Sequence, residues 1–135
     1  MKTHIAAIAL AILCAPPTHA LSDGMPNAPR EQAQFFASCL GRFSAAREHA
    51  WLMGGEDRQA EVGFSMFEDL LEAVSFDAQS LGISGQELLA NRIEAKMAQA
   101  RLMQAATFQQ DPKRRRISAR LADNHLLACK TLVIG

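Results

Sequence analysis

Five residues of this chain have the chemistry from which a hydrolytic or metal site is usually assembled: Ser44, Glu48, His49, Asp123 and His125. A serine, a histidine and a carboxylate in contact would activate a nucleophile. Glu48 with His49 and His125 would offer one oxygen and two nitrogen ligands to a transition metal. The spacing supports neither. No nucleophile motif surrounds Ser44, no Glu-x-x-His pair exists to complete a helical metal cage, and there is no Cys-x-x-Cys-His haem attachment. The sequence therefore predicts no catalytic residue, no metal and no cofactor. A small metal-binding protein or enzyme built on Glu48, His49 and His125 across helices is the alternative.

The cysteines are more informative. Cys14 lies in an N-terminal segment in which Lys2 precedes an unbroken apolar run, Ile5–Leu13, followed by Pro16-Pro17 and by small residues at Thr18 and Ala20. That is the layout of a secretory signal peptide, residues 1–20, cut between Ala20 and Leu21. The run is shorter than the roughly 20 apolar residues a membrane anchor needs, and the bulky Leu13 before Cys14 fits a lipoprotein signal poorly. Cleavage removes Cys14 and leaves Cys39 and Cys129 as a pair in a periplasmic or secreted protein, where disulfides persist. One bridge closing a loop of about 90 residues should add on the order of 4 kcal/mol.

These residues must be positioned by helices. Residues 21–29 form an expected flexible leader, with two prolines, a glycine and little to bury. From there to residue 135 a single helical domain is expected. Phe36, Cys39, Phe43, Ala46, Ala50 and Met53 recur at helical spacing, so the first helix carries an apolar seam from near Arg30 to the Gly54-Gly55 stop. The second opens on Glu56 and Asp57 and carries Phe64, Phe67, Leu71, Val74, Ala78 and Leu81. Folding back at the glycines sets Phe43 beside Phe67, Phe36 beside Val74, and Gly63 against Ala46 as a point of close approach. After Gly82, Ser84 and Glu87 make a capping box, with Ile83 and Leu88 placed as a hydrophobic staple. The third helix presents Leu89, Ile93, Met97, Ala100, Met103 and Ala106. Asp111 caps the fourth and Pro112 opens it, and Ile117, Leu121, His125, Ala128, Cys129 and Leu132 share a face. Four long helices with short links predict an all-α, up-down-up-down four-helix bundle, with the Cys39–Cys129 bridge joining the first and last helices.

Charge is neutral overall but divided. Residues 21–85 hold ten acidic residues against four basic, and residues 86–135 hold nine basic against four acidic. Lys113, Arg114, Arg115 and Arg116, with Arg120 a turn later, form a candidate anion or partner patch. The competing expectation is an internal answer, because Glu56, Asp57 and Glu61 belong to the same end of the bundle. Arg42, Arg47, Glu48 and Trp51 form a candidate partner-binding flank if Trp51 is exposed, with Arg47 stacked on it. Burial of Trp51 between the first and fourth helices is the expectation. Gly54-Gly55-Glu56-Asp57 resembles the Gly-Gly-(Asp/Glu)-Glu-Phe signature of diguanylate cyclases, but Arg58 stands where that signature has an aromatic residue, and the helical context reads as a stop followed by a start.

The function expected from these features is a non-enzymatic binding module of the cell envelope, contacting another envelope protein or an anionic envelope component. No nucleic-acid partner is expected, since no aromatic residues interleave with the basic run, and no transmembrane anchor remains after cleavage. An acid-stress periplasmic chaperone, whose carboxylate-rich second helix loosens in acid, is a further alternative.

Overall fold

The turns that join the helices are set by local signals. A computed structural model of the chain describes residues 27–134, with side chains to residue 131. The expected signal peptide, the Ala20–Leu21 cut, most of the leader and the Leu132 side chain lie outside it. The helices are α1 (Pro29–Leu52), α2 (Arg58–Ser80), α3 (Gly85–Phe108) and α4 (Pro112–Ile134). Gly54, at φ 78°, and Gly82, at φ 92°, take the left-handed conformation that closes α1 and α2. Asp57 then caps α2 by accepting from the Ala60 N–H at 3.0 Å. Both halves of the capping box form: the Glu87 N–H donates to Ser84 Oγ at 3.1 Å, and the Ser84 N–H donates to the Glu87 carboxylate at 2.7 Å. The Ser84 hydrogen bonds, the backbone one first, hold the Glu87 carboxyl below its ordinary range. Ile83 and Leu88 on either side of the box are buried. Asp111 Oδ1 accepts from the Lys113 N–H at 2.8 Å and opens α4.

The four helices form an up-down-up-down bundle. Contacts between α1 and α3 advance together along both chains, from Gly41 against Arg92 to His49 against Thr107. Those between α1 and α4 run in opposite senses: Arg42 reaches the His125 carbonyl, and Cys39 bonds to Cys129 with Cα atoms 5.7 Å apart. α1 is the innermost element. It packs most extensively on α3 and α2, meets α4 mainly near the disulfide, and leaves α2 with little direct contact to α3 or α4. Phe36 and Phe43 meet Phe67 of α2, the Phe43 and Phe67 rings stacking with centroids 5.6 Å apart. Cys39 faces α4, while Ala33 and Ala37 pack with Ala78, Ile83 and Leu88.

Three packing expectations need correction. Gly63 makes room for the Phe43 ring and not for Ala46, since a Cβ there would lie 2.5 Å from the ring edge. The N-terminal half of α3 is rotated from the face its large apolar residues suggest. Leu88 and Gln99 are buried, whereas Leu89, Ile93 and Met97 are about half exposed. The cause lies on α1. Ala33, Ala37, Gly41 and Ala45 recur every four residues and line a second face with little side-chain bulk, so the α3 backbone comes into direct contact at Gly41. The close approach sets the backbone of the Arg92–Lys96 turn of α3 against α1 and leaves Leu89, Ile93 and Met97 on its outer side. Gln99 donates from Nε2 to the Ala122 carbonyl at 3.0 Å, tying α3 to α4. On α4, Ile117, Leu121 and Ala128 stand exposed, and the buried contacts come from Ala122 and Cys129.

Candidate functional site

The residues with catalytic or ligating chemistry are drawn to different neighbours. Ser44 Oγ donates to Glu48 Oε1 at 3.2 Å, and Lys96 Nζ of α3 donates to the same oxygen at 2.7 Å. Glu48 is therefore a strut between α1 and α3. His49 Nε2 lies 3.1 Å from Thr107 Oγ1, and that hydroxyl donates its one proton to the Met103 carbonyl at 2.9 Å. The Thr107 hydroxyl thus joins the His49 ring to the Met103 carbonyl and holds the imidazole against α3. His125 sits on α4, where its carbonyl accepts from Arg42 at 3.3 Å. Arg42 and His49 are seven residues apart on α1, about 10 Å along a helix axis, so Glu48, His49 and His125 do not converge. Asp123 is exposed on α4 beside Asp57 and Gln59 at the start of α2, whereas Ser44 is bonded through Glu48 to α3. Among the described residues no three His, Cys, Asp or Glu side chains are grouped to hold a metal.

His125 supplies a pH dependence. Partial burial and the positive charge of Arg42 hold its imidazole below the ordinary value of 6.5. The folded protein thus favours the neutral ring, while the unfolded chain takes up a proton near 6.5. The stability this contributes is present above 6.5 and is lost as pH falls from there toward the lower folded value. Thermal melts between neutral pH and pH 5 should show the native protein losing more stability than His125→Asn. Equal slopes would remove His125 as the cause. Acid-dependent binding of a dye for apolar surface, followed in the same series, tests the chaperone alternative.

The proposed flank on α1 does not form one surface. Arg42 turns to α4, Glu48 to α3, and Arg47 to α2, where its guanidinium lies 3.6 Å from the centre of the Phe64 ring and pairs with Glu61 at 3.5 Å. Trp51 also lies against Arg47, at 4.9 Å, but is 51% exposed and does not fill the space between α1 and α4. Helical geometry explains this correction. Trp51 follows Arg42 by nine residues, which at 3.6 residues per turn sets it about 180° around the helix from the α4 side.

The exposed Trp51 belongs instead to one end of the bundle. Leu52 and Met53 follow it, 79% and 53% exposed, and Phe108, 66% exposed, ends α3 beside them. A hollow of about 510 Å³ opens between His49, Leu52, Met53, Gln104 and Phe108. After a three-residue link, α4 begins with Lys113, Arg114, Arg115 and Arg116, all exposed, as is Arg120 a turn further on. The internal answer expected for this run is not formed. Glu61 pairs with Arg47, Asp57 caps α2, and Glu56 is exposed and makes no ion pair among the described residues. Within the described residues the one ion pair from the run is Arg114 with Asp111 of its own turn, at 3.7 Å. Neither Leu52 nor Phe108 stands out in the sequence as a surface residue. The available signal was that Trp51, Leu52 and Met53 are consecutive, so they cannot all lie on one helical seam.

No family model, curated protein or solved structure matches this chain.

Proposed function

We propose that this chain is an exported, non-enzymatic helical module that binds a component of the cell envelope through the end carrying Trp51, Leu52, Phe108 and the Lys113–Arg116 run. The observation that carries this reading is the adjacency of large exposed apolar side chains to cationic groups with few carboxylate partners. Isolated exposed apolar residues are ordinary, but a cluster of them bordered by charge has the character of an interaction site. The buried Cys39–Cys129 bridge supports export, because structural disulfides belong to oxidising compartments. No helix among the described residues is long and apolar enough to cross a membrane.

Capture of tagged, disulfide-bonded protein on resin from an envelope extract tests this function. A reproducible component that elutes as salt rises is expected, and its retention should fall when the basic run is neutralised. Absence of any such component would overturn the reading. Mass spectrometry of the exported protein should also show a mass beginning at Leu21.

A further inference from the structure

We infer that the envelope component is an anionic phospholipid bilayer, and that the bundle docks on it end-on. The inference rests on the envelope-binding reading above and names its partner. Because α1 and α3 run parallel, their C-terminal turns emerge at the same end, and the α3–α4 link brings the first turn of α4 there too. One plane can therefore touch Leu52, Met53 and Phe108 together with Lys113, Arg115 and Arg116.

The chemistry of that end suits a lipid interface. Leu52 and Phe108 leave most of their surface open at the rim of the hollow, where an acyl boundary could cover it. Trp51 is half covered by Arg47 and half open, an amphipathic ring at the depth where headgroups would lie. The cationic groups occupy four successive positions of one helical turn, so they fan around its axis and do not line one face. A carboxylate pocket on a protein would select one direction from such a fan, whereas a sheet of lipid phosphates can meet several at once. Long lysine and arginine stems also reach from the helix to the headgroups while their charges stay hydrated. The acids at this end oppose the attraction only in part. Asp57 and Asp111 sit at helix N-termini, whose positive dipole ends they offset, and Glu61 is held by Arg47. Glu56, exposed in the α1–α2 link, is the one acid here left to oppose it outright among the described residues. Shallow apolar insertion and attraction to anionic lipid add to one another in peripheral binding.

Trp51 is the only tryptophan in the chain and serves as the reporter. The disulfide-bonded protein is titrated with vesicles of mixed phosphatidylglycerol and phosphatidylcholine, and with vesicles of phosphatidylcholine alone. With the anionic vesicles we expect co-sedimentation and a blue shift of Trp51 emission, both reversed by salt. With the zwitterionic vesicles we expect neither. Neutralising Lys113→Gln, Arg115→Gln and Arg116→Gln together should weaken partitioning on the order of a hundredfold, at about fivefold per charge. Leu52→Ser with Phe108→Ser should remove the blue shift, and since both sites are exposed, the circular dichroism melt confirms that the variant is folded. Equal binding to both vesicle types, or no effect of the triple substitution, overturns the inference. Failure on vesicles while a protein is retained from envelope extract through the same residues overturns the lipid partner and leaves the envelope-binding reading standing. Failure of both experiments removes the two together.

Discussion

Replacing Cys39 and Cys129 by alanine should lower the stability of the folded protein by about 4.5 kcal/mol, the chain-entropy value for a loop of this length. The two cysteines are 90 residues apart, so the bridge closes a loop that spans most of the bundle. For a domain of this size the change corresponds to a melting temperature lower by roughly 15–25 °C. Alanine is preferable to serine because both sites are fully buried and an apolar replacement introduces no new polar group there. Either single substitution breaks the same bridge, so each should cost nearly as much as the double. A double-mutant cycle by urea denaturation checks this, and additive single effects would mean that the cysteines stabilise by packing and not by linkage. Burial also shields the bond. A reductant added to the native protein should act only as fast as the bundle opens, and denaturant should accelerate it.

The second large effect is expected at Gly41. A Cβ built there overlaps the Arg92 carbonyl oxygen and lies 3.0 Å from the Lys96 nitrogen and 3.1 Å from the Arg92 carbonyl carbon. All three atoms are backbone and cannot rotate away, so α1 and α3 must move apart along their closest contact. Gly41→Ala gains about 1 kcal/mol of helix propensity, yet overpacking of this kind costs about 1–3 kcal/mol and sometimes more. Because the overlap is with fixed backbone the cost falls at the upper end of that range, so a net loss of about 2 kcal/mol is expected, and Gly41→Val should lose more. Gly85→Ala is the control, because nothing lies within 4 Å of its added Cβ. It should be neutral or slightly stabilising in the same urea titration. A neutral Gly41→Val would show that the parallel α1–α3 contact is looser than described.

What was legible in the sequence was local or strongly periodic. The helix boundaries follow from Gly54, Asp57, Gly82, Ser84, Asp111 and Pro112, each acting on backbone groups within a few residues. The α1–α2 pairing follows from two phenylalanine seams joined by a short turn, and the stacked Phe43 and Phe67 rings show it. The disulfide follows from the alternation of helix direction. The rotation of α3 was not legible, because it depends on Ala33, Ala37, Gly41 and Ala45. Small residues add almost nothing to an apolar pattern, and what they permit becomes evident only when another backbone arrives. The candidate site was half legible. The basic run could be read directly, but whether Glu56, Asp57 and Glu61 answered it depended on where those side chains found partners. Glu61 found Arg47, whose guanidinium the Phe64 ring had already drawn toward α2.

The disulfide also decides how α4 behaves as a ligand of the other three helices. Among its described side chains only Ala122 and Cys129 are buried, against ten residues of α1. Contacts as sparse as those of its described side chains would hold weakly if they acted alone. Here a three-residue link fastens one end and the Cys39–Cys129 bond the other, so its effective concentration at the docking face stays high however weak the contacts are. In the oxidised protein the α4 amides should exchange with solvent only alongside the rest of the bundle. In the cysteine-to-alanine variant they should exchange earlier, as a cooperative unit of their own.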